Sequence, residues 1–221
     1  MLKEGYAMHM PSPNTVAPAQ GLYQPDEFKD NCGFGLIAHM KGESSHHLVE
    51  TAIHSLSCMT HRGGIAADGK TGDGCGLLLA MPKAFFREEA KKLSDITLSE
   101  VFAVGTVFLN LDPAIAAHAK QILAKEIESE GLKVLAWRVV PTIVAALGEI
   151  ALRSMPAFEQ IIVNCPMGVT EVEFNRKLFL ARRRAEQLLI NDSSVYVTTL
   201  CSTVISYKGL MMPAAIADFY T

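Results

Sequence analysis

A chain of 221 residues with 20 basic and 23 acidic side chains carries a formal net charge of −3, and neither sign gathers into a long block. That balance excludes the basic footprint of a nucleic-acid binder and the polybasic patch of a membrane-surface protein. No apolar run reaches the roughly 18 residues needed to cross a bilayer, while the length allows about 70% of the unfolded surface to be buried, enough for one core.

Residues 1–31 mix Met, Pro, Asn and Gln. They have neither the apolar centre of a secretory signal nor the Arg-rich, acid-poor bias of a transit peptide, and they read as a removable propeptide. Cys32 then opens the run Cys32-Gly33-Phe34-Gly35-Leu36-Ile37. Cleavage between Asn31 and Cys32 would leave one residue with both a thiol and a free α-amine. An α-amine of pKa about 7.7–8.0 can act as general base toward a thiol of about 8.5 near neutral pH.

Beyond Cys32 the pattern predicts a strand over 34–40 and a helix from Ser44, with Leu48, Ala52, Ile53, Leu56 and Met59 at helical spacing. Residues 63–76 form a glycine-dense loop. A strand over 75–81 is expected to pair with the first across the helix, and 82–93 is a short helix with Pro82 near its start. An apolar strand over 101–109 is followed by a helix capped by Asp112-Pro113 that reaches about residue 130, and then by a strand over 133–140 stopped by Pro141. A strand over 158–164 precedes a helix over 170–189, where Thr170 and Glu173 have capping-box spacing, and 196–200 with 203–207 reads as a closing hairpin. Helices interleaved with strands would suggest a parallel sheet; the hairpins at both ends argue for antiparallel pairing instead.

Five cysteines, an odd number without a C-x-x-C pair, indicate reduced thiols in a cytoplasm. Cys58, Cys75, Cys165 and Cys201 sit in or beside apolar elements and read as small buried hydrophobes. The run Arg182-Arg183-Arg184 reads as the solvated face of a helix. His46, His47, His54 and His61 lack the carboxylate and spacing of an H-E-x-x-H metal site. Gly64 to Thr71 satisfies G-x-x-x-x-G-K-[ST], but phosphate binding there needs a strand feeding the loop and a helix leaving it. Here a helix precedes the loop and a strand follows. A P-loop nucleotide-binding protein built on Gly64–Thr71, and a catalytically silent interaction domain with an unprocessed leader, are the rival readings.

Three segments in order, Cys32-Gly33-Phe34-Gly35-Leu36-Ile37-Ala38-His39, His61-Arg62-Gly63-Gly64 and Thr71-Gly72-Asp73-Gly74-Cys75-Gly76, resemble the class II glutamine amidotransferase domain that opens the large subunit of glutamate synthases. The resemblance continues through Leu147-Gly148-Glu149-Ile150-Ala151, residues 179–184 and Tyr207-Lys208-Gly209-Leu210. It implies an α/β (α+β) fold of the N-terminal-nucleophile hydrolase type, a four-layer αββα sandwich of mainly antiparallel sheets, with 32–221 as the N-terminal portion of the domain. Residues 85–192 then read as an inserted βαβαβα region packing outside the sandwich. The implied activity is a glutaminase half-reaction, in which the Cys32 thiolate releases ammonia from L-glutamine for transfer to 2-oxoglutarate.

Arg62 and Gly63 are carried over as supporting residues beside the nucleophile, and Asp73 as a turn former tying the glycine loop. The resemblance places the oxyanion hole and the substrate clamps past the point matching Thr221. Loss of one oxyanion donor typically costs about a hundredfold to a thousandfold, so this segment by itself is expected to be nearly inactive. FMN, an iron-sulfur cluster and NAD(P)H fed through a small subunit are implied for the full-length protein, with no ligand to them in this segment. The implied partners are the remainder of the large subunit and that small subunit, in the cytoplasm.

Overall fold

In a computed structural model that describes residues 33–60 and 64–220, the elements run α1 (His46–Cys58), β1 (Cys75–Ala80), α2 (Lys83–Ser94), β2 (Phe102–Leu109), α3 (Pro113–Ser129), β3 (Lys133–Val139), α4 (Glu149–Leu152), β4 (Ala157–Asn164), α5 (Glu171–Leu188), β5 (Tyr196–Cys201), β6 (Val204–Gly209) and α6 (Ile216–Phe219). The propeptide reading over 1–31 lies outside the described residues. Three helix starts follow from local chemistry, each a short polar side chain accepting from a backbone N–H that has no helical partner. Ser45 accepts from Leu48, Asp112 from Ala114 and Ile115, and Thr170 from Glu173.

All named strand pairs are antiparallel. β1 pairs with β6, from Cys75 opposite Gly209 to Ala80 opposite Val204. The other four strands form a sheet in the order β3-β4-β2-β5. Since β2 and β3 both run opposite to β4, they are parallel to each other with β4 between them. With α3 and α5, this makes a split β-α-β, β-α-β plait. The alternation expected within 85–192 is realised as β2-α3-β3-α4-β4-α5, but its sheet is completed by β5, beyond that boundary.

β2 shows no inside-outside alternation because both of its faces are covered. On one face Ala103, Val107 and Leu109 join Ile161 and Val163 of β4 against Leu123 and Ile127 of α3 and Phe174 and Leu178 of α5. On the other, Phe102, Val104 and Ile162 meet Phe86 and Ala90 of α2 and Ile205 of β6, so the two sheets pack face to face. A third cluster gathers Phe158, Met211, Ile216 and Phe219 with Leu77 of β1 and Ile53 and Leu56 of α1. Each such large side chain contributes about 1.5–3 kcal/mol on leaving water. The mixed α/β architecture with antiparallel sheets agrees with the α/β sandwich class that the resemblance implied; α3 and α5 cover one face of the four-stranded sheet, while α2 shares the other face with β6, so the strands of 85–192 form one of the facing sheets and do not pack outside them.

One polar line crosses this apolar interior. Arg138 of β3, 7% exposed, donates to Glu89 of α2 at 2.8 Å and to Gln160 of β4 at 3.0 Å, and Gln160 donates to the Tyr207 hydroxyl of β6 at 3.1 Å. Four elements are registered against one another by bonds that only one alignment satisfies.

Two expectations are corrected. The strand over 34–40 does not form: residues 33–39 have no regular structure, Phe34 and Leu36 are 90% exposed, and β1 takes β6 as its partner instead. An apolar run becomes a strand only where a sheet edge accepts its hydrogen bonds. The closing hairpin is also absent as a ladder, because β5 pairs with β2 and β6 with β1. The corner at Ser202 and Thr203 carries the chain from one sheet to the other. Fully buried Ser202 is held there by Asn175 and Glu171 of α5, and the Thr203 carbonyl accepts from Met81.

Candidate functional site

The glycine loop from Gly64 to Gly74, in the connection from α1 to β1, is held by many bonds. Ile65 and Gly72 form an antiparallel bridge, Ala66 N–H donates to the Thr71 carbonyl at 2.8 Å, and Gly69 N–H, at a glycine with φ +70°, closes a turn onto Ala66 at 3.0 Å. The Asp73 carboxylate accepts from Gly64 N–H, tying the two ends of the loop as expected of a turn former. Gly72 lies so close to the chain at Met211 that a Cβ there would sit 2.7 Å from the Met211 carbonyl oxygen.

The middle of the loop is fastened to a segment about 80 residues away. Asp68 Oδ1 accepts from the Lys70 and Thr71 N–H groups at 3.0 and 2.8 Å, while Oδ2 accepts from the Thr71 hydroxyl at 2.6 Å and from Ile150 N–H at 3.0 Å. The Thr71 hydroxyl oxygen in turn accepts from Ala151 N–H at 3.1 Å. α4 begins after Gly148, which has no side chain with which to cap it. Asp68 and Thr71 therefore supply the cap from across the fold. The Thr71 hydroxyl, then the Ile150 and Thr71 amides, hold the Asp68 carboxyl well below the usual carboxylate range, against a smaller opposing effect of burial.

This geometry accounts for the Walker-like spelling. α1 enters the loop and β1 leaves it, the reverse of a phosphate-binding loop, and the Thr71 hydroxyl is committed to Asp68 and Ala151. The P-loop reading gains no support from this arrangement.

The three site residues named from sequence, Cys32, Arg62 and Gly63, lie outside the described residues, as does His61. Of the residues that frame them in sequence, Gly64 is placed in the tied loop and Gly33 in the exposed stretch before α1. Asp68, Thr71 and Gly148 are parts of the arrangement that no spacing rule signalled.

The remaining cysteines behave as structural thiols. Cys75, half-buried on β1, is pushed up to about 11 by burial, and Cys165 is raised by burial and then by Glu171. Cys58 is the exception to the buried reading: it is exposed on α1, with its sulfur 4.0 Å from His54 Nε2. His46 pairs with Glu50, and among the described residues no group of three or more His, Cys, Asp or Glu could hold a metal ion. The scattered cysteines accordingly do not fit an iron-sulfur cluster, which needs several thiolates converging. Arg182 and Arg183 pair with Glu186, and Arg184 with Glu130, as befits a helix face laced by ion pairs. No helix among the described residues is long and apolar enough to cross a membrane.

Comparison with known proteins adds a second kind of observation. The family described as glutamine amidotransferases class-II matches residues 32–221. The chain is 37% identical over 210 residues to the glutamate synthase [NADPH] large chain of Bacillus subtilis, covering 94% of this chain and 14% of that protein. It is 36% identical over 211 residues to ferredoxin-dependent glutamate synthase 2 of Synechocystis, covering 94% and 13%, and 34% identical over 224 residues to the glutamate synthase [NADH] of Saccharomyces cerevisiae, covering 96% and 10%. The chain thus spans a small fraction of the length of the relatives it matches, and the matched family region begins at residue 32.

Proposed function

The chain belongs to the class-II glutamine amidotransferases, and from that premise we propose that it carries out the glutaminase half-reaction of a glutamate synthase, with Cys32 as nucleophile. The observation that carries this reading is the start of the family match at residue 32, on the cysteine that opens the first shared motif. The same boundary supports 1–31 as a propeptide whose removal frees the α-amine of Cys32.

In the proposed reaction the Cys32 thiolate attacks the side-chain amide carbon of L-glutamine, with the α-amine taking the thiol proton. The tetrahedral oxyanion collapses and expels ammonia, protonated through the same amine. Water then attacks the γ-glutamyl thioester, releasing glutamate and restoring the thiol. Arg62 and Gly63, which precede the tied Gly64 in sequence, are assigned supporting roles beside the nucleophile. While Asn31 remains attached, the Cys32 nitrogen is an amide without useful basicity, and a general base is worth about a hundredfold to ten-thousandfold.

In the wider protein the ammonia would aminate 2-oxoglutarate, with the reducing power supplied by FMN, an iron-sulfur cluster and NAD(P)H through a small subunit. Those groups are proposed for the remainder of the protein; the cysteines described here do not converge as such a cluster would need. The rest of the large subunit and the small subunit are the proposed partners. The cytoplasm is the proposed location, in keeping with free thiols at Cys58, Cys75, Cys165 and Cys201.

The test uses the full-length gene product. Cys32→Ala should abolish glutamine-dependent glutamate synthesis and leave ammonia-dependent synthesis within about twofold, because only ammonia release uses the thiol. Intact mass should show Cys32 as the first residue of the active protein. Equal loss of both activities would refute the assignment.

A further inference from the structure

A cavity of about 220 Å³ lies between α3, α5 and the face of the four-stranded sheet that these two helices cover, and the connection from α5 to β5 forms one end of it. Its walls are apolar, with Leu123 of α3, Leu189 of α5, Val107 and Leu109 of β2 and Trp137 of β3. Ala119 and Ala185 complete the helical side of the lining, and their short side chains leave the room. Protein interiors otherwise pack at crystal density, and a cavity much larger than a water molecule forfeits dispersion contacts along its lining. Apolar cavities of about 150 Å³ exclude water and take up benzene. This one has the size for a ring with a short tail.

The polar side chains of the lining are few and lie close together in the chain: Glu186, Asp192 and Ser193. Glu186 is committed to Arg182 and Arg183. Asp192 accepts the Ser194 N–H at 3.0 Å and the Ser194 hydroxyl through Oδ1 alone, which leaves Oδ2 without a donor among the described residues. Ser193 and Ile190 are both exposed, so this end is the mouth. Lys120, whose ammonium lies over the Trp137 ring, is paired with Glu159 at 2.6 Å instead. A mostly apolar lining with a small number of polar groups is the make-up of a small-molecule site.

We propose that this cavity is a binding site for a small apolar amine, its hydrocarbon body between α3 and α5 and its ammonium against Asp192 Oδ2 and the Ser193 hydroxyl. The site goes beyond the glutaminase reading and does not depend on it, because every residue in it belongs to the plait and its connections. Burial of the hydrocarbon supplies most of the affinity. A charge-assisted hydrogen bond to the carboxylate sets the preference for a cation over a neutral molecule of the same shape. For a ligand of about nine heavy atoms the dissociation constant falls between roughly 10 μM and 1 mM.

The probes are phenethylamine, its neutral counterpart phenethyl alcohol and the anion hydrocinnamate. Each is titrated calorimetrically into the full-length gene product, and hydrogen exchange is followed on peptides spanning residues 119–123 and 185–197. The amine should bind with a dissociation constant below about 1 mM and slow exchange in both peptides. It should bind roughly tenfold more tightly than the alcohol, with the acid weaker still. Ala119→Leu and Ala185→Leu each fill the cavity and should weaken the amine by about tenfold or more; they stand on separate helices, so one serves if the other is overpacked and does not fold. Asp192→Asn keeps the Oδ1 acceptor for Ser194 but removes the charge, and should bring the amine down to the affinity of the alcohol. No binding of the amine, or amine binding undiminished in the filled variants, would overturn the site. Alcohol binding as tightly as the amine to the wild-type protein would overturn the assignment of an amine.

Discussion

Replacing Gly148 by alanine isolates the junction between the glycine loop and α4. Gly148 has φ −80° and ψ 158°, a conformation open to any residue, so the substitution carries no backbone strain and its cost is purely steric. The new Cβ would overlap the Asp68 carboxylate and lie 2.5 Å from Thr71 Oγ1. Neither atom is a loose end, because they accept from Ile150 and Ala151 N–H. Making room removes those bonds. Ala151 is 4% exposed, so its N–H has little water to turn to, and an unsatisfied buried donor costs about 1–3 kcal/mol. Loss of the cap at Ile150 adds about 1 kcal/mol. The total is about 2–4 kcal/mol, which for a chain of this size lowers the melting temperature by about 4–16 °C. Thermal denaturation followed by circular dichroism reads this directly, with Gly35→Ala as the control, since a Cβ on Gly35 meets nothing within 4 Å. In an Asp68→Gly background the same Gly148→Ala change should cost less, because one of its two clash partners is gone and Thr71 can then give way. A Gly148→Ala protein melting within 1 °C of wild type (~0.3 kcal/mol) would refute this junction geometry.

Arg138→Met keeps the bulk of the side chain but leaves Glu89 with Lys92 alone and strips Gln160 of its donor, so the urea midpoint should fall by the equivalent of about 2–3 kcal/mol; an unchanged midpoint would mean that the polar line contributes no net stability. Asp68 titrates below its ordinary value of 3.8, so the stability it confers is complete above that pH and lost as the pH falls below it. Asp68→Asn should accordingly flatten the decline of stability between pH 4 and more acid solution while lowering stability at pH 7, and parallel pH curves for the two proteins would count against it. At pH 8 a small alkylating agent should modify exposed Cys58 well before Cys75, whose thiol at about 11 is only about one part in a thousand ionised; comparable rates at both would show that β1 opens readily.

Local chemistry was legible in the chain itself. The caps at Asp112 and Thr170, the mostly apolar strand β2 and the tie from Asp73 across the glycine loop all arise from spacing or from bonds within about ten residues, so each could be expected before any fold was known. Family membership was legible for a related reason, since it rests on the order of short motifs that a linear reading preserves. The meeting of Asp68 and Thr71 with Gly148, Ile150 and Ala151 was not legible, nor was the choice of β6 over residues 34–40 as the partner of β1, nor the parting of β5 and β6 into separate sheets. Each of these is decided by which sheet edge is free and which segments the stacked layers bring within 3 Å. A carboxylate looks the same in sequence whether it caps its own helix or one that lies 80 residues away, because its hydrogen bonds depend on distance in space, and that distance exists only once the two sheets have packed.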